Sequence, residues 1–503
     1  ECDFRDGEYG QAFREYDRVR KFKGGDRYLE ASVMLRTGEC EYNLGRLDAA
    51  LQTFTRLLEK YPETYLADEA LYELGQVQAA SQSWRHLDKT YSELLAERPG
   101  YRDLPRVRFA LGIFAYVEER YGEAAEFFQD VPSDLGLYYL GRCLEETGQY
   151  IMAIQRYRQA LRLYPDSPMA DDVAFSIAEA FYNSGQNKVA ARSYTEFLER
   201  FPESEFIPTA RYKSACVDYR MEKYDDSLRK LKKLCDDLVD DPICALAHYL
   251  AGTAHMAKNE RSHAIFAYTE VVKRFPDSEL ASAAMHKIIF AYVDEANYPQ
   301  AILMAEEFLR YFPGDLLAAR VQVLKGYSHM QLEEYELAVR EFQNVMDRHV
   351  NTDVGERALF LATSTYYTLE QYDRLITNYH FIANRLLPTP SEWRARTYHH
   401  LGEAYYAEGL FREAGAMYRL VLTGYPRSDV AAASLQGLVA SYSQLGEYEV
   451  ALEEQEKFLF SLANDDSEEG SNSLALGSLY FNQKEYEKAM EQFMRFLQAN
   501  PDS

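Results

Sequence analysis

One pairing recurs along the whole chain: a small residue in a helical stretch, followed four positions later by an aromatic. Ala12, Ala50, Ala124, Ala153, Ala190, Ala264, Ala338, Ala414 and Ala489 are followed by Tyr16, Phe54, Phe128, Tyr157, Tyr194, Tyr268, Phe342, Tyr418 and Phe493. Leu87–Tyr91 and Leu375–Tyr379 hold the same phase with leucine at the small site, and Leu231, Ala305 and Gln455 interrupt the aromatic column. Residues four apart share one helix face, so the pattern describes the same helix made again and again. Prolines at Pro62, Pro99, Pro132, Pro165, Pro202, Pro242, Pro276, Pro313, Pro388, Pro426 and Pro501 close successive units, with unmarked unit ends near Val350 and Ala463. Self-similarity near 37 residues means stacked helix pairs, because one pair cannot bury its apolar stripe without neighbours.

Within one unit, Ala31 to Gly38 begins a first helix, Asn43-Leu44-Gly45-Arg46 turns the chain, and Leu47 to Lys60 makes the second. A glycine recurs in the first helix as Gly38, Gly75, Gly112, Gly141, Gly252, Gly326, Gly402 and Gly477. Glycine costs about 1 kcal/mol in a helix relative to alanine, so its fixed phase predicts close packing there. Serines two residues after proline (Ser167, Ser204, Ser278, Ser428) are read as caps of the next helix, with Pro168 at its first position. Four irregularities stand out: a short second helix before Pro132, an extended one before Pro242, the Pro388-Thr389-Pro390 junction and the acidic stretch from Asp465 to Gly470.

These residues resemble the tetratricopeptide repeat, with a small residue, glycine and tyrosine in the first helix and alanine, aromatic and terminal proline in the second. The Tyr164-to-Ser167, Phe201-to-Ser204 and Phe275-to-Ser278 junctions are similar to those of the longer repeats in bacterial envelope proteins, such as the barrel-assembly lipoprotein and the Tol-Pal-associated periplasmic protein. The resemblance implies an all-α, right-handed superhelical solenoid of about fourteen helix-turn-helix units and about 27 helices. It is expected to be a single array over 1–503, divided into an incomplete first unit (1–25), N-terminal units (26–131), central units (132–387) and C-terminal units (388–503). Glu1-Cys2-Asp3-Phe4 aligns with Glu39-Cys40-Glu41-Tyr42, and Asn500-Pro501-Asp502-Ser503 reads as a junction into a further helix. The chain is therefore read as a segment of a longer protein, with a signal peptide or anchor expected ahead of it.

Composition narrows the function classes. Mean hydropathy is −0.43 and no apolar run nears the length of a membrane span. A net charge of −25 disfavours phosphate backbones and anionic lipid surfaces. The one basic stretch, Arg14 to Arg27, reads as a solvated helix end rather than a nucleic-acid site. Cys2, Cys40 and Cys143 share one small-residue site, while Cys235, Cys244 and His248 lie at ligand-like spacing with no second pair to support a metal centre. His399-His400 is read as packing, since adjacent helix residues face different ways. Phosphate loops, nucleophile elbows and zinc-protease motifs are missing from the sequence, so neither enzyme activity, a cofactor nor a metal is expected.

What the resemblance leaves is a concave groove lined by first helices. Its expected residues lie at two phases, that of Leu35 and, two turns on, that of Tyr42, with Glu39 on the same face between them. They are Tyr42, Tyr72, Phe109, Tyr116, Tyr138, Phe175, Tyr182, Tyr212, Tyr219, Tyr249, Phe360, Tyr367 and Tyr406. The lysine and asparagine with which chaperone-adaptor members clamp a C-terminal carboxylate are not found at these positions. An aromatic groove suits an extended peptide or partner helix, the strip from Tyr138 to Tyr249 being the expected contact. The expectation is a non-catalytic scaffold, a member of a multi-protein complex in the periplasm or at the outer membrane. The alternative is a cytoplasmic peptide-binding module.

Overall fold

The computed structural model describes residues 7–20, 27–97, 100, 105–383, 385–387, 391–463, 477, 480, 481 and 484–499. Cys2, Pro99, the 388–390 junction, the 465–470 stretch and the chain end at 500–503 lie outside these. Every regular element among the described residues is an α-helix. There are 26, and they fall into two compact units, Glu1–Val239 and Asp240–Ser503.

Each unit is a run of antiparallel helix pairs. In the first full pair, Arg27–Asn43 is followed by Leu47–Lys60, and the turn between them carries Gly45 at φ +72°. One residue of left-handed backbone recurs at every such turn: six glycines (Gly7, Gly45, Gly148, Gly185, Gly409, Gly446) and eight other residues (Gln82, Glu119, Glu222, Asn259, Ala296, Glu333, Glu370, Lys484). These fourteen turns count out the fourteen units expected from the sequence. Eight units accept a side chain in backbone that disfavours it by about 1–2 kcal/mol, so the turn is imposed by the packing on either side of it.

That packing is a ring laid against bare backbone. Phe54, Tyr91, Phe128, Tyr157, Tyr194, Tyr268, Phe342 and Tyr418 are all buried, as are Ala50, Ala124, Ala153, Ala190, Ala264, Ala338 and Ala414 one turn before. A Cβ built on Gly38 would come within 2.6 Å of the Phe54 ring, one on Gly141 within 2.2 Å of Tyr157, and one on Gly402 within 2.5 Å of Tyr418. The glycine is thus a socket in the first helix for the aromatic of the second. Where the ring becomes Ala305, the socket becomes Ile289, and both are fully buried in one cluster. The volume is conserved while its owner changes.

The junctions depart from expectation in three places. Ser167, Ser204 and Ser278 accept from the backbone N–H of Met169, Phe206 and Leu280 at 3.1–3.2 Å. They close a turn ahead of the helix, which starts at Ala170 rather than at Pro168, and the Ser428 hydroxyl is buried without a partner. Proline marks the turn, not the first helical position. The helix before Pro242, Tyr224–Asp237, has the ordinary 14 residues; the extra residues lie in the connection, not in a longer helix. The helix before Pro132 is short as expected, 8 residues at Tyr121–Phe128. Two junctions use a cap instead of the serine turn: Ser133 accepts from Gly136 N at 2.9 Å and Thr352 from Gly355 N at 3.2 Å. Here glycine is required, since a Cβ on Gly355 would sit 1.8 Å from the His349 carbonyl oxygen.

Two kinds of glycine should respond oppositely to a methyl group. Gly141→Ala gains helix propensity but drives a Cβ into the Tyr157 ring, and overpacking of about 1–3 kcal/mol outweighs the roughly 1 kcal/mol of propensity. Gly122 is helical with nothing within 4 Å of the added Cβ, so Gly122→Ala should raise the urea midpoint that Gly141→Ala lowers. Ala153→Leu and Ala338→Leu, at fully buried sites, should each cost about 1–3 kcal/mol in the same melts.

Candidate partner-binding groove

Within each unit first helices approach one another, as Arg27–Asn43 does Tyr65–Ala80 and Ile243–Ala257 does Leu280–Asp294, whereas no two second helices pack as closely among the described residues. The first-helix face is therefore the inner one. All thirteen aromatics expected there are half-buried. Leu35, at the same phase, is not: at 1% exposure it belongs to the core. Leucine is short enough to turn inward, where tyrosine and phenylalanine reach past the helix surface.

The two phases pack differently. At the Leu35 phase the ring leans on the socketed aromatic of its own unit: Phe109 on Phe128 (5.7 Å between centroids), Tyr138 on Tyr157 (6.1 Å), Phe175 on Tyr194 (6.2 Å) and Tyr249 on Tyr268 (5.4 Å). At the Tyr42 phase the ring meets the aromatic that opens its own second helix: Tyr116 with Tyr121, Tyr219 with Tyr224, Tyr367 with Tyr372 and Tyr406 with Phe411, at 5.2–5.9 Å. Neighbouring units cover some of what remains. Phe206 stacks on Phe175 at 4.9 Å, and the Arg220 guanidinium lies 3.5 Å over Tyr182 while donating to the Tyr182 carbonyl oxygen at 2.9 Å. In the second unit His400 stacks on Tyr367 at 4.9 Å and Trp393 lies 5.5 Å from Phe360. Burial, then the adjacent His399, pushes the His400 imidazole down to about 4, so it packs as a neutral ring. His399 turns the other way, its Nδ1 lying 3.0 Å from Ser434 Oγ.

The inner face of the first unit holds a cavity of about 550 Å³ where Tyr42 and Phe109 meet Arg36, Glu39, Glu73 and Arg106. Arg36 donates to both Glu39 carboxylate oxygens at 2.8 Å. Glu73 is brought beside Glu39 from the next first helix; burial, and then the Glu39 charge, lift its carboxyl to about 7 against the opposing pull of Arg106. Tyr72 and Tyr212 are likewise pushed up, chiefly by burial, and so remain neutral. Two rings, two carboxyls and two guanidiniums in one concave site can clasp a side chain that is both apolar and polar. Sequence reasoning reached Tyr42, Phe109 and Glu39 but missed Glu73, Arg36 and Arg106. The available signal for Arg36 and Glu73 was a charged residue two positions before the socket glycines Gly38 and Gly75; the residue just after the glycine instead serves the socketed ring. Gln76 Nε2 binds the Tyr91 hydroxyl at 2.5 Å, and the Tyr418 hydroxyl donates to Glu403 Oε1 at 2.6 Å.

Comparison with known proteins agrees with this architecture. Tetratricopeptide-repeat families match residues 32–64, 135–167, 172–204 and 473–503, and the outer membrane lipoprotein family YfiO matches 244–459. The chain belongs to the tetratricopeptide-repeat superfamily. The match to outer membrane lipoproteins covers less than half of the chain and, with the repeats, is in keeping with a role in protein–protein interaction. No curated protein matches it. Similar solved structures include a tetratricopeptide-repeat protein from Parabacteroides merdae, 12% identical over 54% of this chain and 99% of that one, with a TM-score of 0.35. MamA is 19% identical over 36% of this chain and 92% of its own, with a TM-score of 0.31. The APC/C hetero-tetramer Cut9-Hcn1 is 12% identical over 94% of each chain, with a TM-score of 0.30. No helix among the described residues is long and apolar enough to cross a membrane.

The raised Glu73 carboxyl makes stability depend on pH in a definite direction. Between its ordinary value of 4.5 and about 7 the folded chain holds a proton that the unfolded chain has lost, so stability falls as pH rises through that window. Glu73→Gln should match the native chain at pH 4 and exceed it above pH 7 by about 1–2 kcal/mol after solvent screening. Urea melts followed through Trp84 in a Trp393→Phe background read the first unit.

Proposed function

We propose that this chain is one continuous non-catalytic scaffold of a bacterial envelope assembly, holding a segment of a partner protein against the first-helix face of its first unit. The carrying observation is the cavity in which Tyr42 and Phe109 flank Arg36, Glu39, Glu73 and Arg106. Rings with one face already committed to packing lose little entropy on contact, and paired charges select a partner of mixed or basic character. The net charge of −25 favours the approach of such a partner. The groove continues along the same face through Tyr138, Phe175, Tyr182, Tyr212 and Tyr219, which adapt it to an extended segment or a helix. The envelope setting rests on the match to outer membrane lipoproteins over 244–459.

Photo-crosslinking in the native host separates the faces. A photoreactive phenylalanine replacing Tyr42 or Phe109 should yield one discrete adduct in the envelope fraction, whereas the exposed second-helix positions Gln155 and Glu196 should yield none. Tyr42→Ala together with Phe109→Ala should weaken the purified complex by about 2 kcal/mol, roughly thirtyfold. Adducts arising only from Gln155 or Glu196 would move the interface to the outer face, and adducts found only in the cytosol would refute the envelope setting.

A further inference from the structure

Two turns of the second unit share a clamp. His255 Nδ1 lies 2.7 Å from Glu260 Oε2, and His329 Nδ1 lies 2.6 Å from Glu334 Oε2, each histidine ending a first helix and each glutamate preceding a second. Both turns carry left-handed backbone, at Asn259 and Glu333, and both close with the glutamate N–H bonded to the histidine carbonyl, at 2.8 and 2.9 Å. The clamp alone therefore belongs to the turn. The two turns differ in one donor residue: three positions after the glutamate, the second turn has Leu337 and the first has His263. His263 lies one helical turn along, on the same side as Glu260, and its ring stacks on His255 at 5.2 Å and 23°. Donor atoms of His255, Glu260 and His263 all lie within 4.8 Å of one another.

We propose that His255, Glu260 and His263 bind a first-row divalent cation, Zn²⁺ above all. Two imidazole nitrogens and a carboxylate oxygen are a donor set for zinc, cobalt, nickel or copper, whereas calcium and magnesium demand oxygen. Zinc bonds of about 2.0–2.2 Å place tetrahedral ligand atoms roughly 3.3 Å apart. His255 Nδ1 and Glu260 Oε2, now 2.7 Å apart, open by about 0.6 Å to admit the ion, and rotation of the exposed His263 side chain brings its donor in from within 4.8 Å. The ion displaces Lys258, whose Nζ sits 2.7 Å from Glu260 Oε1, and takes both imidazoles neutral. Three protein ligands leave at least one position to water, so the ion exchanges readily and ties the end of one helix to the start of the next.

The His329–Glu334 turn is the internal control. Calorimetric titration of the untagged chain with ZnCl₂ should show one equivalent of tight binding, preserved in His329→Ala and weakened at least tenfold in His263→Ala. Co²⁺ should give visible absorption of a low-coordinate site that is lost in His263→Ala. His263 is exposed and Leu337 occupies its place in the other turn, so circular dichroism of the variant should match the native chain. Equal zinc affinity in native and His263→Ala proteins, or no uptake by the native chain up to about 100 µM Zn²⁺, would overturn the assignment.

Discussion

An aromatic ring pressed against a helix that lacks a Cβ is the contact from which the rest of this protein is built. The ring brings most of a unit's buried apolar surface, and the glycine socket lets two helix backbones come close enough to enclose it. Removing either half leaves a void or a clash, as the paired exchange of Ile289 for glycine and Ala305 for aromatic makes plain. Because Tyr138, Phe175 and Tyr249 lean on the socketed rings, the groove inherits its geometry from the core.

The hairpin turn follows from that contact. Once ring and socket are engaged, the two helices are fixed in register, and the three-residue connection has one way to close, through left-handed backbone at a single residue. Six units supply glycine there and eight do not. The side chains of the turn are thus free to vary, and the second unit uses that freedom twice to place a histidine against a glutamate.

The fold was legible because the interlock writes a fixed pattern into the chain: glycine, then alanine twelve residues on and a ring four later still. Gly38, Ala50 and Phe54 state it; Gly402, Ala414 and Tyr418 repeat it. What escaped reading lay at unit ends, where several solutions satisfy the same backbone. The serine turns that delay the helix to Ala170 look like caps from sequence alone, and the true caps at Ser133 and Thr352 depend on glycines three residues on. In the groove, aromatic phase was readable but polarity was not. Glu73 owes its raised carboxyl to burial and then to the charge of Glu39, about a unit away in sequence, against the pull of Arg106. His255, Glu260 and His263 follow the spacing of a turn plus one helical repeat, which no helical pattern announces.

The short helix Tyr121–Phe128 has six residues fewer than Tyr150–Leu163 in the next unit. At 1.5 Å per residue this removes about 9 Å from the outer wall, while the first helices on either side, Pro105–Val117 and Asp134–Glu146, keep their 13 residues each. The inner face therefore stays continuous across a notch in the layer that supports it. The groove between Phe109 and Tyr138 is thus backed by less of the outer layer than any other stretch of the described first unit.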